Sequence, residues 1–144
     1  MLFLSIPAFG VGLIQVYLDR VIGTAFYDVG AGGDPLLWSH LFWYFGHPEV
    51  YVVIVPAFGV ISEVLATSSR RSIFGYRSMV FAMAGIGIVA FIVYGHHMFT
   101  SGMSPVLRFV TMVTTMLVAV PTGIKIFNWL KTMHGGSLVY RTHT

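Results

Sequence analysis

Three histidines dominate the chemistry this sequence can support. His47 sits in the run Phe42-Trp43-Tyr44-Phe45-Gly46-His47-Pro48-Glu49-Val50-Tyr51, and His96 and His97 adjoin each other in Tyr94-Gly95-His96-His97-Met98. Neutral imidazoles unaccompanied by thiolate suit copper or zinc and leave a coordination position open for a small ligand. Around them stand Tyr51, Glu49 and, further along, Thr122 and Lys125 in Pro121-Thr122-Gly123-Ile124-Lys125. An ionisable group inside an apolar helix is a functional candidate by default, because burying it is expensive.

Helical spacing sorts these groups. His47 and Tyr51 are four residues apart and share a face. Glu49 lies about 200° around from His47 at 100° per residue and points elsewhere. Pro48 removes a backbone hydrogen bond beside them and is expected to kink the helix. His96 and His97 diverge by about 100° in an ideal helix, so sharing one metal requires the helix to loosen there. Trp43, four residues before His47, falls on the histidine face and could shield a metal.

Each group also has a plainer reading. A lone histidine in an apolar helix is usually a hydrogen-bonded core residue, and Glu49 could be a satisfied structural carboxyl. Tyr51 alone reads as packing, and Lys125 could snorkel toward Lys131. Met79, Met83, Met98, Met103, Met112 and Met116 read as packing, and His40, His134 and His143 as interfacial. It is the histidine pair together with a third at matching depth that favours a metal.

The elements that hold these groups follow from composition. The chain has 144 residues, 56% hydrophobic and 9% charged, with a formal net charge of +3 and no cysteine; its mean hydropathy is +0.82. A soluble domain carries about a quarter charged residues, and a disordered chain is poor in aromatics and apolar groups. A nucleic-acid-binding domain needs a solvated basic face, which these scattered charges do not make. Without cysteine there is no disulfide and no zinc–thiolate site. The chain reads as an all-α, polytopic integral membrane protein.

Four apolar spans are expected, roughly 2–18, 36–65, 77–98 and 106–131, forming one partial membrane domain over 1–144. No basic leader or small-residue cleavage site marks the first as a signal peptide. The 66–77 loop carries Arg70, Arg71 and Arg77 and no acid, while 19–35 carries Asp19, Asp28 and Asp34. With Lys131 and Arg141 in the tail, the positive-inside rule puts that loop and both termini on the cytoplasmic or matrix side. His47, His96 and His97 then all fall in the outer half of the bilayer. The glycines around Gly30 to Gly33 lack the Gly-Lys-Ser/Thr of a phosphate loop and read as a turn.

These residues match a known pattern. His-Leu-Phe-Trp-x-Phe-Gly-His-Pro-Glu-Val-Tyr at 40–51, His-His-Met-Phe-Thr at 96–100 and Pro-Thr-Gly-Ile-Lys-Ile-Phe at 121–127 resemble subunit I of the haem-copper oxidases. Gly-Gly-Asp-Pro at 32–35 and Met-His-Gly-Gly at 133–136 favour the branch that oxidises cytochrome c. The resemblance runs through nearly the whole chain and corresponds to the fifth to eighth helices of a twelve-helix bundle.

The resemblance implies roles. His47, His96 and His97 would ligate the copper called CuB, and Tyr51 would be covalently linked to His47. Glu49 would be a proton branch point, and Lys125, Thr122 and Ser62 would line a second proton route toward Tyr51. Trp43 and Val50 would flank the copper and the shared haem, an a-type haem held by histidines outside this chain. The implied whole is a respiratory oxidase that reduces O2 to water with electrons from cytochrome c and pumps protons. It would need the rest of subunit I, subunits II and III and a lipid bilayer, in the mitochondrial inner membrane or a bacterial plasma membrane. The chain is expected to be a fragment or split piece of that subunit, inactive alone. Tyr94-Gly95 replaces the pattern's Trp-Ala, and Ser104-Pro105-Val106-Leu107 replaces its acidic turn.

Three other readings stand beside it. A quinol-oxidising subunit would carry the same core motifs. A metal or ion transporter would use the histidines as a midplane site but should show internal repeats, which are absent; a purely structural membrane subunit leaves the three-histidine set unexplained.

Overall fold

The computed structural model describes residues 1–138, so Arg141 and His143 lie outside the described residues. Within them the chain is all-helical. Helix α1 spans Leu2–Val21, α2 Pro35–Ser69, α3 Tyr76–Val89, α4 Pro105–Leu117 and α5 Ala119–His134. A short 3₁₀ turn precedes α2 at Val29–Ala31, and a longer one, Val93–Met98, follows α3.

Helix α1 lies along α2. Phe9 stacks on Phe45 with centroids 4.8 Å apart. Gly12 makes room for the Trp38 ring, from which a Cβ there would stand 3.1 Å. The connecting loop is pinned by Asp19, whose carboxylate accepts from Thr24 Oγ1 at 2.6 Å and from the Phe26 and Tyr27 backbone N–H groups. The Tyr27 hydroxyl in turn donates to Gln15 Oε1 at 2.6 Å. Burial and, second, the nearby Asp19 carboxylate hold the Tyr27 phenol above its ordinary range. Asp34 then starts α2 as its N-cap, accepting from Leu36 N at 2.8 Å with Pro35 at the first helical position.

Helix α2 is 35 residues long and unbroken through Pro48 and Pro56. At 1.5 Å per residue it extends about 52 Å, beyond the ~30 Å apolar thickness of a bilayer. Three helical stretches are long and apolar enough to cross a membrane: Leu2–Val21, Pro35–Ser69 and Pro105–His134.

The third and fourth expected spans differ from single helices. The 77–98 stretch is a 14-residue α3 that gives way, after Ala90, to the 3₁₀ turn carrying both histidines. There Gly95 presses on α4 so closely that a Cβ would meet Thr111 Cγ2 at 2.5 Å. The 106–131 stretch divides at Val118. Pro121 is the cause: its ring clashes with the carbonyl four residues back, which is Leu117, the last residue of α4.

The buried apolar core is Met79, Ala82, Ile86, Ala90, Val93, Met98 and Met103, so the third span and its turn form the centre. Helix α3 packs on α5, the 3₁₀ turn on α2 and α4, and α5 on α2. At one end Asn128 Nδ2 donates to Ser78 Oγ at 2.8 Å and the Phe74 N–H donates to Thr132 Oγ1 at 2.9 Å. These bonds fix α5 beside the start of α3 and thereby set the height of Lys125.

Candidate metal centre

The long α2 and the 3₁₀ turn after α3 bring the three histidines together. His47 Nδ1 lies 3.1 Å from His97 Nε2, and His96 Nε2 lies 3.1 Å from the same atom. One ring nitrogen from each residue falls within 4.8 Å of the other two. Two nitrogens about 3.3 Å apart are what a tetrahedral metal with bonds near 2 Å would have as neighbouring ligands. The cluster therefore fits a metal that takes neutral nitrogen donors.

Proton accounting supports the fit. Thr115 Oγ1 donates to the Thr111 carbonyl at 2.6 Å, so its hydroxyl hydrogen is already used. The oxygen therefore accepts from His96 Nδ1, 3.1 Å away. With its proton on Nδ1, His96 turns the Nε2 lone pair toward the other two rings. Nitrogen lone pairs aimed at one region repel unless a proton or cation lies among them.

The remaining neighbours shape this cluster. The Trp43 indole stacks on the His97 ring, centroids 3.9 Å apart and 6° from parallel. The Tyr51 ring meets the His47 ring edge-on at 4.6 Å. His47 is buried, and its Nε2 has no hydrogen-bond partner. Tyr94, two residues before His96, places its hydroxyl 3.1 Å from His40 Nδ1, tying the 3₁₀ turn to α2.

Glu49 and Val50 are not gathered in. Both are exposed, Glu49 on the side of α2 away from His47.

Among the described residues Lys125, 1% exposed, is the largest fully buried side chain, and its Nζ has no hydrogen-bond partner there. That Nζ sits 3.5 Å from the centroid of the Phe58 ring. Thr122 Oγ1 donates to the Val118 carbonyl at 2.9 Å, near the junction of α4 and α5. Ser62 accepts from the Trp129 indole N–H at 3.0 Å and donates to the Phe58 carbonyl at 2.7 Å. Direct hydrogen bonds do not link Lys125, Thr122 and Tyr51 into a chain.

Thr115, Phe58, Trp129 and the His40–Tyr94 pair were not singled out by sequence reasoning for these contacts. Thr115 reads only as part of a polar run that suits helix packing. For Phe58 a signal did exist: Tyr51, Phe58 and Ser62 recur at seven and eleven residues, one stripe of a helix.

The whole chain, residues 1–144, matches the family described as cytochrome c and quinol oxidase polypeptide I. It is 51% identical over 142 residues to cytochrome c oxidase subunit 1 of Bacillus sp. (strain PS3), covering 99% of this chain and 23% of that protein. To the protein of the same name from Bacillus subtilis (strain 168) it is 50% identical, with the same coverage of 99% and 23%. To that from Cereibacter sphaeroides it is 46% identical, over 99% of this chain and 25% of that protein. The chain thus spans about a quarter of the length of these curated relatives. Taken with the three-histidine cluster on its apolar helices, the match over every residue means that the chain belongs to the cytochrome c and quinol oxidase polypeptide I family.

Proposed function

We propose that this chain is part of the catalytic subunit of a terminal respiratory oxidase, reducing O2 to water with electrons from cytochrome c and pumping protons. The observation that carries the reading is the convergence of His47 Nδ1, His96 Nε2 and His97 Nε2. These three residues would hold CuB. Copper bound there would supply the one-electron redox chemistry that oxygen reduction needs, together with an a-type haem ligated by histidines elsewhere in the subunit.

The other residues orient groups and hold or move protons. Thr115 fixes the tautomer of His96, and Trp43 braces His97 through ring stacking. Tyr51 serves as proton and electron donor, cross-linked to His47. In support, the unpartnered Nε2 belongs to the imidazole that the Tyr51 ring contacts. Lys125, Thr122 and Ser62 carry protons toward Tyr51, with water filling the gaps between them. Glu49, on the far side of α2, serves a separate route, and Val50 flanks the path of oxygen.

Partners in this reading are the rest of subunit I, subunits II and III, and cytochrome c. The positive 66–77 loop faces the cytoplasm or matrix, and the membrane is a bacterial plasma membrane or the mitochondrial inner membrane. The family description also covers quinol oxidases, so quinol is the competing donor. The names of the three relatives favour cytochrome c.

The test is the copper content and reduced-plus-CO spectrum of the native complex containing this chain. The expected result is copper stoichiometric with the chain beyond any held by other subunits, and a haem that binds CO. A complex with neither overturns the proposal.

A further inference from the structure

Lys125 presents an unusual accounting problem. Its Nζ is buried and has no hydrogen-bond partner among the described residues, yet the side chain reaches from α5 to a definite place on α2. What it reaches is the face of the Phe58 ring, with Nζ 3.5 Å from the centroid. A ring face attracts an ammonium through its quadrupole, most strongly where water is excluded, and gives a neutral aliphatic group of similar bulk no such preference.

The surroundings make this contact directional. Phe58 is seven residues past Tyr51, about 10 Å along α2 and on the same face. One turn beyond Lys125 on α5, the Trp129 ring lies 5.8 Å from the Phe58 ring and its indole N–H donates to Ser62. Ser62 is itself bonded back to the Phe58 carbonyl at 2.7 Å. Phe58, Ser62 and Trp129 thus form a closed group on the side of Lys125 away from the histidines. Glu49 faces away from the group, and Nζ has no carboxylate partner.

We propose that Phe58 is a positioning residue for Lys125: its ring face holds the lysine ammonium about two turns short of Tyr51. The Trp129–Ser62 bond keeps that ring in place. Held there, the proton-bearing head stands in place for transfer toward Thr122 and Tyr51; without the ring face it is displaced from that place and delivery slows. The inference rests on the reading of Lys125 as a proton carrier, but the resting contact itself does not.

The test uses the complete oxidase, normalised to haem content. Phe58→Leu and Phe58→Met remove the ring face, Phe58→Tyr keeps it, and each is also made in a Lys125→Met background. Two measurements are read: the anaerobic reduction rate of the buried metal centre, and the position of Nζ in a structure of the Phe58→Leu complex. The expected result is a reduction about tenfold slower in Phe58→Leu and Phe58→Met, and near the original rate in Phe58→Tyr. No further slowing is expected in the Lys125→Met background, and Nζ should be displaced from its original place. Equal slowing in the Lys125→Met background overturns the proposal, because the ring then acts through packing alone. An undisplaced Nζ overturns it as well. If Lys125→Met leaves the rate unchanged while Nζ still shifts in Phe58→Leu, the proton-route reading falls and the positioning role stands.

Discussion

The Nδ1 of His96 sits 3.1 Å from Thr115 Oγ1, and that oxygen has already given its hydrogen to the Thr111 carbonyl at 2.6 Å. A single threonine therefore decides which nitrogen of His96 carries the proton and which faces His47 and His97. The residue that orients a metal ligand is commonly worth 10–100-fold in metal affinity.

Thr115→Val keeps the shape and removes the acceptor. Copper retention under chelator challenge should fall about 10–100-fold relative to the native complex. Thr115→Ser, which keeps the oxygen, should retain most of it. Copper per haem after dialysis against chelator measures both.

Gly95 packs the histidine-bearing turn tightly against α4. A Cβ there would stand 2.5 Å from Thr111 Cγ2. Gly95→Ala should destabilise the complex by about 1–3 kcal/mol, the usual cost of overpacking. Thr111→Ser removes the offending methyl and should recover most of that loss. Thermal denaturation of the two single variants and the double variant checks the pairing.

Lys125→Met should slow anaerobic reduction of the metal centre, since it removes a buried amine from the proposed route toward Tyr51. Glu49→Gln should leave that reduction intact and block turnover and pumping after oxygen has bound, because Glu49 lies on the opposite side of α2. Stopped-flow reduction and single-turnover oxidation separate the two. An unchanged reduction rate in Lys125→Met, with the side chain facing lipid in the full complex, would return Lys125 to a snorkelling role.

Much of this architecture is legible in the residues themselves. Uncharged stretches mark the apolar spans, and Asp34-Pro35 marks the start of α2 through capping and a fixed φ. The histidine cluster is legible because ionisable groups in an apolar span are costly to bury. The breaks were harder to see. Pro121 gave a sign of the α4–α5 junction, but the 3₁₀ turn at His96 and His97 depends on how closely Gly95 meets Thr111, a tertiary fact. The Phe58–Lys125 and Trp129–Ser62 contacts were hidden for a related reason. They join helices whose relative height is set by the Asn128–Ser78 and Thr132–Phe74 bonds, which no periodicity within one helix reveals.

Replacing any one of His47, His96 or His97 by Ala should remove the copper while haem insertion and assembly continue, because in the proposed reading haem is held by histidines outside this chain. The copper-to-haem ratio of each purified variant reports this, and variants that keep full copper would exclude the altered histidine as a ligand.

The central claim is that His47, His96 and His97 share one copper, and X-ray absorption at the copper edge of the complete complex, cleared of copper held by other subunits, measures it most directly. The account predicts a first shell with three imidazole nitrogens at about 2 Å and loss of that signal in His96→Ala. A first shell dominated by sulfur or oxygen, or a three-nitrogen signal surviving His96→Ala, would contradict it.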